Sequence, residues 1–124
     1  MPKKILVADD SRMFRQLEQN ILHEHGYQLI HAGDGAQAVR LATVEVPDLV
    51  LLDVQMPIMD GNKALSILKS SERTCHIPVL MLTAEAGPRD RQVMNGLGAH
   101  AVLAKPISGA ALLEAVRNAI GNAD

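Results

Sequence analysis

The chain has 124 residues, of which 48% are hydrophobic and 21% charged, and its formal net charge is −2. This composition is typical of a globular protein and excludes a disordered chain, and the absence of a basic run argues against direct nucleic-acid binding. No apolar stretch is long enough for a membrane span or a signal peptide, and the single cysteine, Cys75, cannot form an internal disulfide, so we expect a cytoplasmic protein.

Five short apolar runs alternate along the chain with segments of helical periodicity. The runs cover residues 4–8, 27–30, 48–52, 78–82 and 101–104. The third and fourth are rich in valine and leucine without a polar alternation, which is typical of parallel strands buried on both faces. We therefore predict five strands.

The helical segments between and after these runs begin or end at residues with known capping preferences. These residues are Gly26, Asp34, Pro88 and Ser108. The apolar residues predicted to face the core recur at helical spacing: Phe14, Leu17, Ile21 and Leu22; Ala38, Val39 and Ala42; Ala64, Leu65 and Leu68; Val93, Met94 and Leu97; and Leu112, Leu113, Val116 and Ile120.

Strand and helix thus alternate five times, and parallel strands joined in this way require helical crossovers. The prediction is an α/β fold of the flavodoxin-like (βα)5 type. This fold is a three-layer sandwich around a five-stranded parallel sheet of order 2-1-3-4-5. No linker or repeat interrupts the pattern, so we expect one domain over residues 1–124.

Polar residues with reactive side chains stand at the predicted carboxyl ends of four of the five strands. Asp9 and Asp10 follow the first run, Asp53 the third, Thr83 the fourth and Lys105 the fifth. In open parallel sheets, ligands bind outside the carboxyl ends of the strands, near the point where the winding reverses. For the order 2-1-3-4-5 that point lies between the first and third strands. The sequence therefore predicts one pocket that gathers these side chains.

Three carboxylates in one pocket repel each other, and one of them would take up a proton unless a cation balanced the charge. Mg²⁺ prefers carboxylates, waters and phosphate oxygens, and together with Lys105 it would balance three formal negative charges. Phosphoryl transfer needs positioning and neutralisation of the equatorial oxygens, which a metal, an ammonium and a hydroxyl can supply. A carboxylate can itself be the nucleophile and form an acyl phosphate. The set of side chains is complete for that reaction.

Five motifs occur in order at these strand ends. They are Ile5-Leu6-Val7-Ala8-Asp9-Asp10, Asp53-Val54-Gln55-Met56-Pro57-Ile58-Met59-Asp60-Gly61, Leu82-Thr83-Ala84, Gly98-Ala99 and Lys105-Pro106. Each is weak alone, but together they are specific. Over its whole length the chain resembles a CheY-like response-regulator receiver domain of two-component signalling.

The resemblance implies a role for each residue of the predicted pocket. Asp53 would be the phosphoacceptor, Asp10 a direct Mg²⁺ ligand, and Asp9 a partner of the metal through water. The backbone carbonyl of Gln55 would be a further ligand. The phosphoryl oxygens would be bound by Thr83 and Lys105. The bond between Lys105 and Pro106 would be cis, and the side chains of Gln55 and Glu85 would tune the lifetime of the phosphoryl group.

The resemblance also implies partners. A histidine kinase or a histidine phosphotransfer protein would donate the phosphoryl group, and the surface around the fourth helix and fifth strand would control an output protein or effector domain. Such a chain is a signalling phosphoacceptor that assists its own phosphorylation and dephosphorylation, and it is not classed as an enzyme. Its end at Asp124 suits a stand-alone receiver, although the receiver part of a longer regulator would have the same sequence.

One position departs from the family pattern. Receivers often carry Tyr or Phe on the fifth strand, three residues before the lysine, and here that position is Val102. The only aromatic residues of the chain, Phe14 and Tyr27, lie elsewhere. We therefore expect phosphorylation to be read out through the backbone and the fourth helix rather than through a ring flip.

Three other function classes fit parts of the sequence. A Mg²⁺-dependent phosphohydrolase with an aspartyl nucleophile would also cluster carboxylates, but in the haloacid-dehalogenase type the second acid comes two residues after the nucleophile, whereas Asp9 and Asp10 are adjacent. A flavin or nucleotide binder would suit the fold, but the chain has no P-loop or dinucleotide motif. A phosphorylation-independent adaptor would not require Asp53, Thr83 and Lys105 together.

Overall fold

Five strands and five helices alternate along residues 2–124, which the computed structural model describes. The strands are β1 (Lys4–Ala8), β2 (Gln28–Ala32), β3 (Leu49–Asp53), β4 (Val79–Thr83) and β5 (Ala101–Ala104). The helices are α1 (Arg12–Glu24), α2 (Gly35–Glu45), α3 (Gly61–Ser70), α4 (Pro88–Gly96) and α5 (Gly109–Ile120). None of these helices is both long and apolar enough to cross a membrane.

The strands form one parallel sheet of order β2-β1-β3-β4-β5, which confirms the predicted flavodoxin-like topology. In β1, Ile5 pairs with Leu29 of β2 on one side and with Leu49 of β3 on the other. Every residue of β3 and β4 is buried, as expected for strands covered by helices on both faces. The carboxyl ends of β1, β3, β4 and β5 consequently lie along one edge of the sheet.

Successive strand residues point to opposite faces, and this alternation divides the apolar residues into two cores. One core contains Leu6 and Val50 with residues of α2, α3 and α4, and the other contains Ile5 and Leu51 with residues of α1 and α5. Two helices therefore cover one face of the sheet and three cover the other.

Side chains cap the N-termini of four helices, where backbone N–H groups have no partner within the helix. The caps are Ser11, Asp34, Asp60 and Ser108, and each accepts a hydrogen bond from the third residue after it. The cap of α4 is Gly87, which has no side chain to accept such a bond, and Pro88 occupies the first turn. The predicted starts at Asp34, Pro88 and Ser108 agree with these positions.

The structure corrects the predicted bounds of three strands. β2 runs from Gln28 to Ala32 rather than over 27–30, and β3 and β4 each begin and end one residue later than predicted. Asp53 and Thr83 are therefore the last residues of their strands and not the first residues of the following loops. The bounds differ because pairing with neighbouring strands, rather than hydrophobicity alone, sets the ends of a strand.

Two helices bury residues other than those predicted. On α1, Leu17 is 46% exposed and Glu18 is only 3% exposed, because Glu18 lies one helical turn before the buried Leu22 and on the same face. On α4, Met94 is buried while Val93 is 51% exposed. Helical periodicity predicts an apolar stripe, but it does not say which of two adjacent positions faces the sheet.

Candidate functional site

Three carboxylates converge at the carboxyl ends of β1 and β3, which are adjacent in the sheet. Asp9, Asp10 and Asp53 each offer an oxygen atom, and these three atoms lie within 4.8 Å of one another. Asp9 and Asp53 are 1% and 6% exposed, whereas Asp10 is open to solvent. The cluster therefore has a buried floor and one acidic group at its mouth.

Lys105 brings a positive charge into this cluster from the end of β5. Its Nζ atom lies 3.0 Å from Asp9 Oδ2 and 3.2 Å from Asp53 Oδ2, and its side chain is 9% exposed. The ring of Phe14 on α1 lies 4.6 Å from the same Nζ atom, which allows a cation–π contact. The bond between Lys105 and Pro106 is cis, as predicted.

Backbone groups fix the orientation of the two buried carboxylates. The N–H of Ser11 donates to Asp9 Oδ1 at 2.9 Å, and the N–H of Gln55 donates to Asp53 Oδ1 at 3.2 Å. Each bond closes a turn in which an aspartate accepts from the residue two positions later. One carboxylate oxygen of each residue is thus held by the backbone, while the other contacts Lys105.

Gly61, the first residue of α3, allows the helix to approach the end of β3. Its N–H donates to the carbonyl of Val54 at 2.8 Å, and a Cβ atom at this position would lie 2.3 Å from the carbonyl oxygen of Asp53. Only glycine fits this contact without a shift of the backbone. The motif that begins at Asp53 therefore ends at Gly61 because the helix packs directly on the strand that carries the acid.

Thr83 reaches the same edge of the sheet at the end of β4, and it is 1% exposed. Its hydroxyl accepts a hydrogen bond from the N–H of Glu85 at 3.0 Å and donates to the carbonyl of Glu85 at 3.4 Å. The hydroxyl is thus held by the loop that follows β4. The side chains of Gln55 and Glu85 are exposed.

The charges in the site shift the pKa values of Asp53 and Lys105. Burial raises the pKa of Asp53, the charge of Asp9 raises it further, and Lys105 with the Gln55 N–H partly offsets both effects. Burial by itself would lower the pKa of Lys105, but its hydrogen bond to Asp9 and the charges of Asp9 and Asp53 raise that pKa above its ordinary value. At neutral pH, the acids therefore hold Lys105 in its charged form.

A fourth carboxyl group, that of Glu18, lies near Asp9 and was missed by the sequence reasoning. Burial and the nearby negative charge of Asp9 both favour the protonated form of Glu18. The pKa of Glu18 is raised to about 8, first by burial and then by the charge of Asp9, while Lys105 opposes the shift. The available signal was its spacing: Glu18 lies midway between Phe14 and Leu22 on the inward stripe of α1.

The donor set of the cluster fits a hard divalent cation. Such a cation takes oxygen ligands, keeps several waters and is bound through one or two carboxylates. Asp9, Asp10 and Asp53 supply oxygen atoms at close quarters, and the exposed position of Asp10 leaves room for water. No histidine or cysteine belongs to this cluster, so softer metals are disfavoured.

A flavodoxin-like sheet whose carboxyl edge carries an aspartate cluster, a threonine and a lysine defines the class of response-regulator receiver domains. Comparison with known families supports this assignment directly, because the family model of the response regulator receiver domain matches residues 5–117 of the chain. The chain belongs to the receiver-domain family, whose members are signalling proteins of two-component systems.

The chain is similar over nearly its full length to a curated relative and to solved structures. It is 32% identical to the polar-differentiation response regulator DivK of Brucella anthropi, over 99% of this chain and 100% of that protein. The chemotaxis protein CheY4 of Vibrio cholerae superposes with a TM-score of 0.91 at 31% identity, over 96% of this chain and 99% of that one. The receiver domain of the sensor histidine kinase PA1611 of Pseudomonas aeruginosa superposes with a TM-score of 0.90 at 30% identity, over 98% and 100% of the two chains. That structure has a magnesium ion coordinated in its active site cleft.

Proposed function

We propose that Asp53 accepts a phosphoryl group from a histidine kinase or a histidine phosphotransfer protein in a Mg²⁺-dependent reaction, and that the modification switches the surface around α4 and β5. The observation that carries this proposal is the position of Asp53. Its carboxylate is almost buried at the end of the central strand, within 4.8 Å of two other acids and 3.2 Å from an ammonium group. In this proposal the receiver spans residues 1–124 and acts in the cytoplasm.

The reaction would form a bond between an Asp53 oxygen and phosphorus and break the bond between phosphorus and the donor nitrogen, which keeps the electron pair. Each oxygen of Asp53 has one partner, the N–H of Gln55 for Oδ1 and the ammonium of Lys105 for Oδ2. Lys105 is charged and already in the site, so it can pass from Asp53 to a phosphoryl oxygen with little movement. The Thr83 hydroxyl would bind a second phosphoryl oxygen after leaving Glu85.

Asp9, Asp10 and Asp53 would hold Mg²⁺, together with the backbone carbonyl of Gln55. When bound, the ion would supply positive charge to the phosphoryl oxygens. Asp9 is fixed by Ser11 and Lys105, and it would act on the metal through water. Asp10, as the exposed acid, would be a direct ligand. The same groups would let the chain assist its own phosphorylation and dephosphorylation.

Intact mass spectrometry after incubation with acetyl phosphate tests this proposal. We expect the native chain to gain the mass of one phosphoryl group with Mg²⁺ and to stay unmodified with EDTA. Asp53→Asn should not be labelled, and Asp10→Asn should be labelled far more slowly. Asp48→Asn is a matched control, because Asp48 is an exposed acid next to the opposite end of the same strand, and its labelling should equal that of the native chain.

Other outcomes would favour the other function classes. Full labelling of Asp53→Asn would contradict the assignment of the phosphoacceptor. A native chain that acetyl phosphate never labels, even with Mg²⁺, would point to a phosphorylation-independent adaptor. Continuous release of phosphate in large excess over the protein would point to a phosphohydrolase.

A further inference from the structure

Arg91 on α4 links two other parts of the fold through its guanidinium group. Its Nε atom donates to the carbonyl of Ala86 at 2.7 Å, and its Nη1 atom donates to the carbonyl of Val102 at 2.9 Å. Ala86 belongs to the loop between β4 and α4, and Val102 belongs to β5. Both bonds are charge-assisted, and the planar guanidinium makes them with one fixed geometry. Arg91 thus ties the loop to the strand at the edge of the sheet.

The loop that Arg91 holds is the same loop that holds the Thr83 hydroxyl. Thr83 bonds to the backbone of Glu85, and Ala86 is the next residue. The hydroxyl of Thr83 can turn towards Asp53 only after it leaves Glu85, which frees the loop to rearrange. The bond from Arg91 to Ala86 resists that rearrangement.

The other attachments of α4 are weak compared with those of the remaining helices. Only Met94 of its residues is buried, whereas α3 buries four residues. Its N-cap, Gly87, has no side-chain hydrogen bond. Two charge-assisted bonds from one side chain are therefore a large part of what sets the position of the first turn of α4.

We propose that Arg91 is a positioning residue that couples the side chain of Thr83 to the position of α4 by latching the loop after β4 to the carbonyl of Val102. The latch favours the arrangement in which the Thr83 hydroxyl is bonded to Glu85. Release of the Ala86 bond lets Thr83 turn towards the phosphoryl group and frees α4 to move. This inference rests on the proposed function of Asp53, because the movement of Thr83 serves to bind the phosphoryl group on Asp53.

Three variants test the latch. Arg91→Ala removes both bonds, and Arg91→Lys keeps the charge but replaces the planar, two-pronged guanidinium by a single ammonium group. Arg89→Ala is the matched control, since Arg89 is an exposed arginine in the same turn of α4 and its removal changes the net charge equally. Thermal melts establish that each variant is folded, and Arg91→Lys carries the test if Arg91→Ala does not fold.

The first measurement is hydrogen exchange without a phosphodonor. Residues 84–96 should exchange faster in Arg91→Ala than in the native chain, while Arg89→Ala should match the native chain. The second measurement is the rate of labelling of Asp53 by acetyl phosphate with saturating Mg²⁺. Because the latch opposes the arrangement that binds the phosphoryl group, Arg91→Ala should be labelled about three- to tenfold faster. Arg91→Lys should fall between the two.

The two proposals fail in different ways. If the native chain is not labelled, the proposed function fails, and the exchange experiment still shows whether the latch exists. If the native chain is labelled and Arg91→Ala shows the same labelling rate and the same exchange, there is no latch. Faster exchange with an unchanged labelling rate would mean that Arg91 only stabilises α4, which overturns the coupling to Thr83.

Discussion

Glu18 occupies a core position of α1. An apolar side chain could be buried there without any change of protonation, whereas a carboxylate must take up a proton to become uncharged. Its pKa is raised to about 8 in the folded protein, from an ordinary value of 4.5 in the unfolded chain. Between these two pH values, the folded state keeps a proton that the unfolded state releases. The contribution of Glu18 to stability therefore declines as pH rises from about 4.5 to about 8 and is most unfavourable above that range.

The variant Glu18→Gln should remove this pH dependence, because glutamine keeps the shape and stays uncharged at every pH. At pH 7 we expect it to exceed the native chain in free energy of unfolding by on the order of 2 to 3 kcal/mol. The difference should shrink towards zero near pH 4.5. Urea unfolding with EDTA at a series of pH values measures it, with Glu114→Gln on the exposed side of α5 as the control. A difference that is constant with pH would contradict a titrating Glu18.

The contact between α3 and the end of β3 places a strict demand on the first residue of the helix. A Cβ atom on Gly61 would lie 2.3 Å from the Asp53 carbonyl oxygen and 2.7 Å from the Cα atom of Val54. These are backbone atoms, which cannot move aside as the end of a flexible side chain can. Gly96, the last residue of α4, lies in open space, because a Cβ atom there would have no neighbour within 4 Å beyond the adjoining backbone of its own helix.

We therefore expect opposite effects from the same substitution in these two helices. Gly61→Ala should lower the free energy of unfolding by about 2 kcal/mol or more, because the helix must shift away from the strand. It should also slow the labelling of Asp53. Gly96→Ala should raise the free energy of unfolding by about 0.5 kcal/mol, because it reduces the freedom of the unfolded chain. Chemical denaturation of both variants checks the signs, and equal effects would show that close packing at Gly61 is unimportant.

The gathering of the acids at one edge of the sheet lowers the stability of the whole fold. Without metal, Asp9, Asp10 and Asp53 face one ammonium group, and the burial of Asp53 adds to its repulsion from Asp9. Asp53→Asn should therefore stabilise the protein in EDTA by about 1 kcal/mol, because the amide keeps the shape without the charge. Saturating Mg²⁺ should stabilise the native chain by mass action and reduce the advantage of the variant, which loses a ligand.

Thermal melts of both proteins, with EDTA and with excess Mg²⁺, give the four midpoints needed. A lower midpoint for Asp53→Asn than for the native chain in EDTA would contradict the repulsion between the acids. Midpoints that do not respond to Mg²⁺ in either protein would contradict the metal site. Asp48→Asn again serves as the control, because it removes one acid far from the cluster.

Much of the fold and of the candidate site could be read from local patterns in the chain. The apolar runs and helical stripes predicted five strands and five helices, because the periodicity of side chains follows directly from backbone geometry. The sequence predicted that Asp9, Asp53 and Lys105 lie close together, because the ends of parallel strands lie at one edge of a sheet. These predictions require only the order of residues and the rules of strand and helix geometry.

The tertiary structure alone decided the polar contacts made by Glu18, Thr83 and Arg91. The periodicity of α1 does not say which of two adjacent positions faces the sheet. The rotation of the packed helix decides this, and it buries Glu18 beside Asp9. The Thr83 hydroxyl is bonded to Glu85 because of the position of the loop after β4. Arg91 reaches Val102 because of the position of α4, which has only a small apolar contact with the sheet. Hydrogen bonds of this kind depend on distances of a few tenths of an ångström between separate elements, and such distances are set by the packing of all their neighbours.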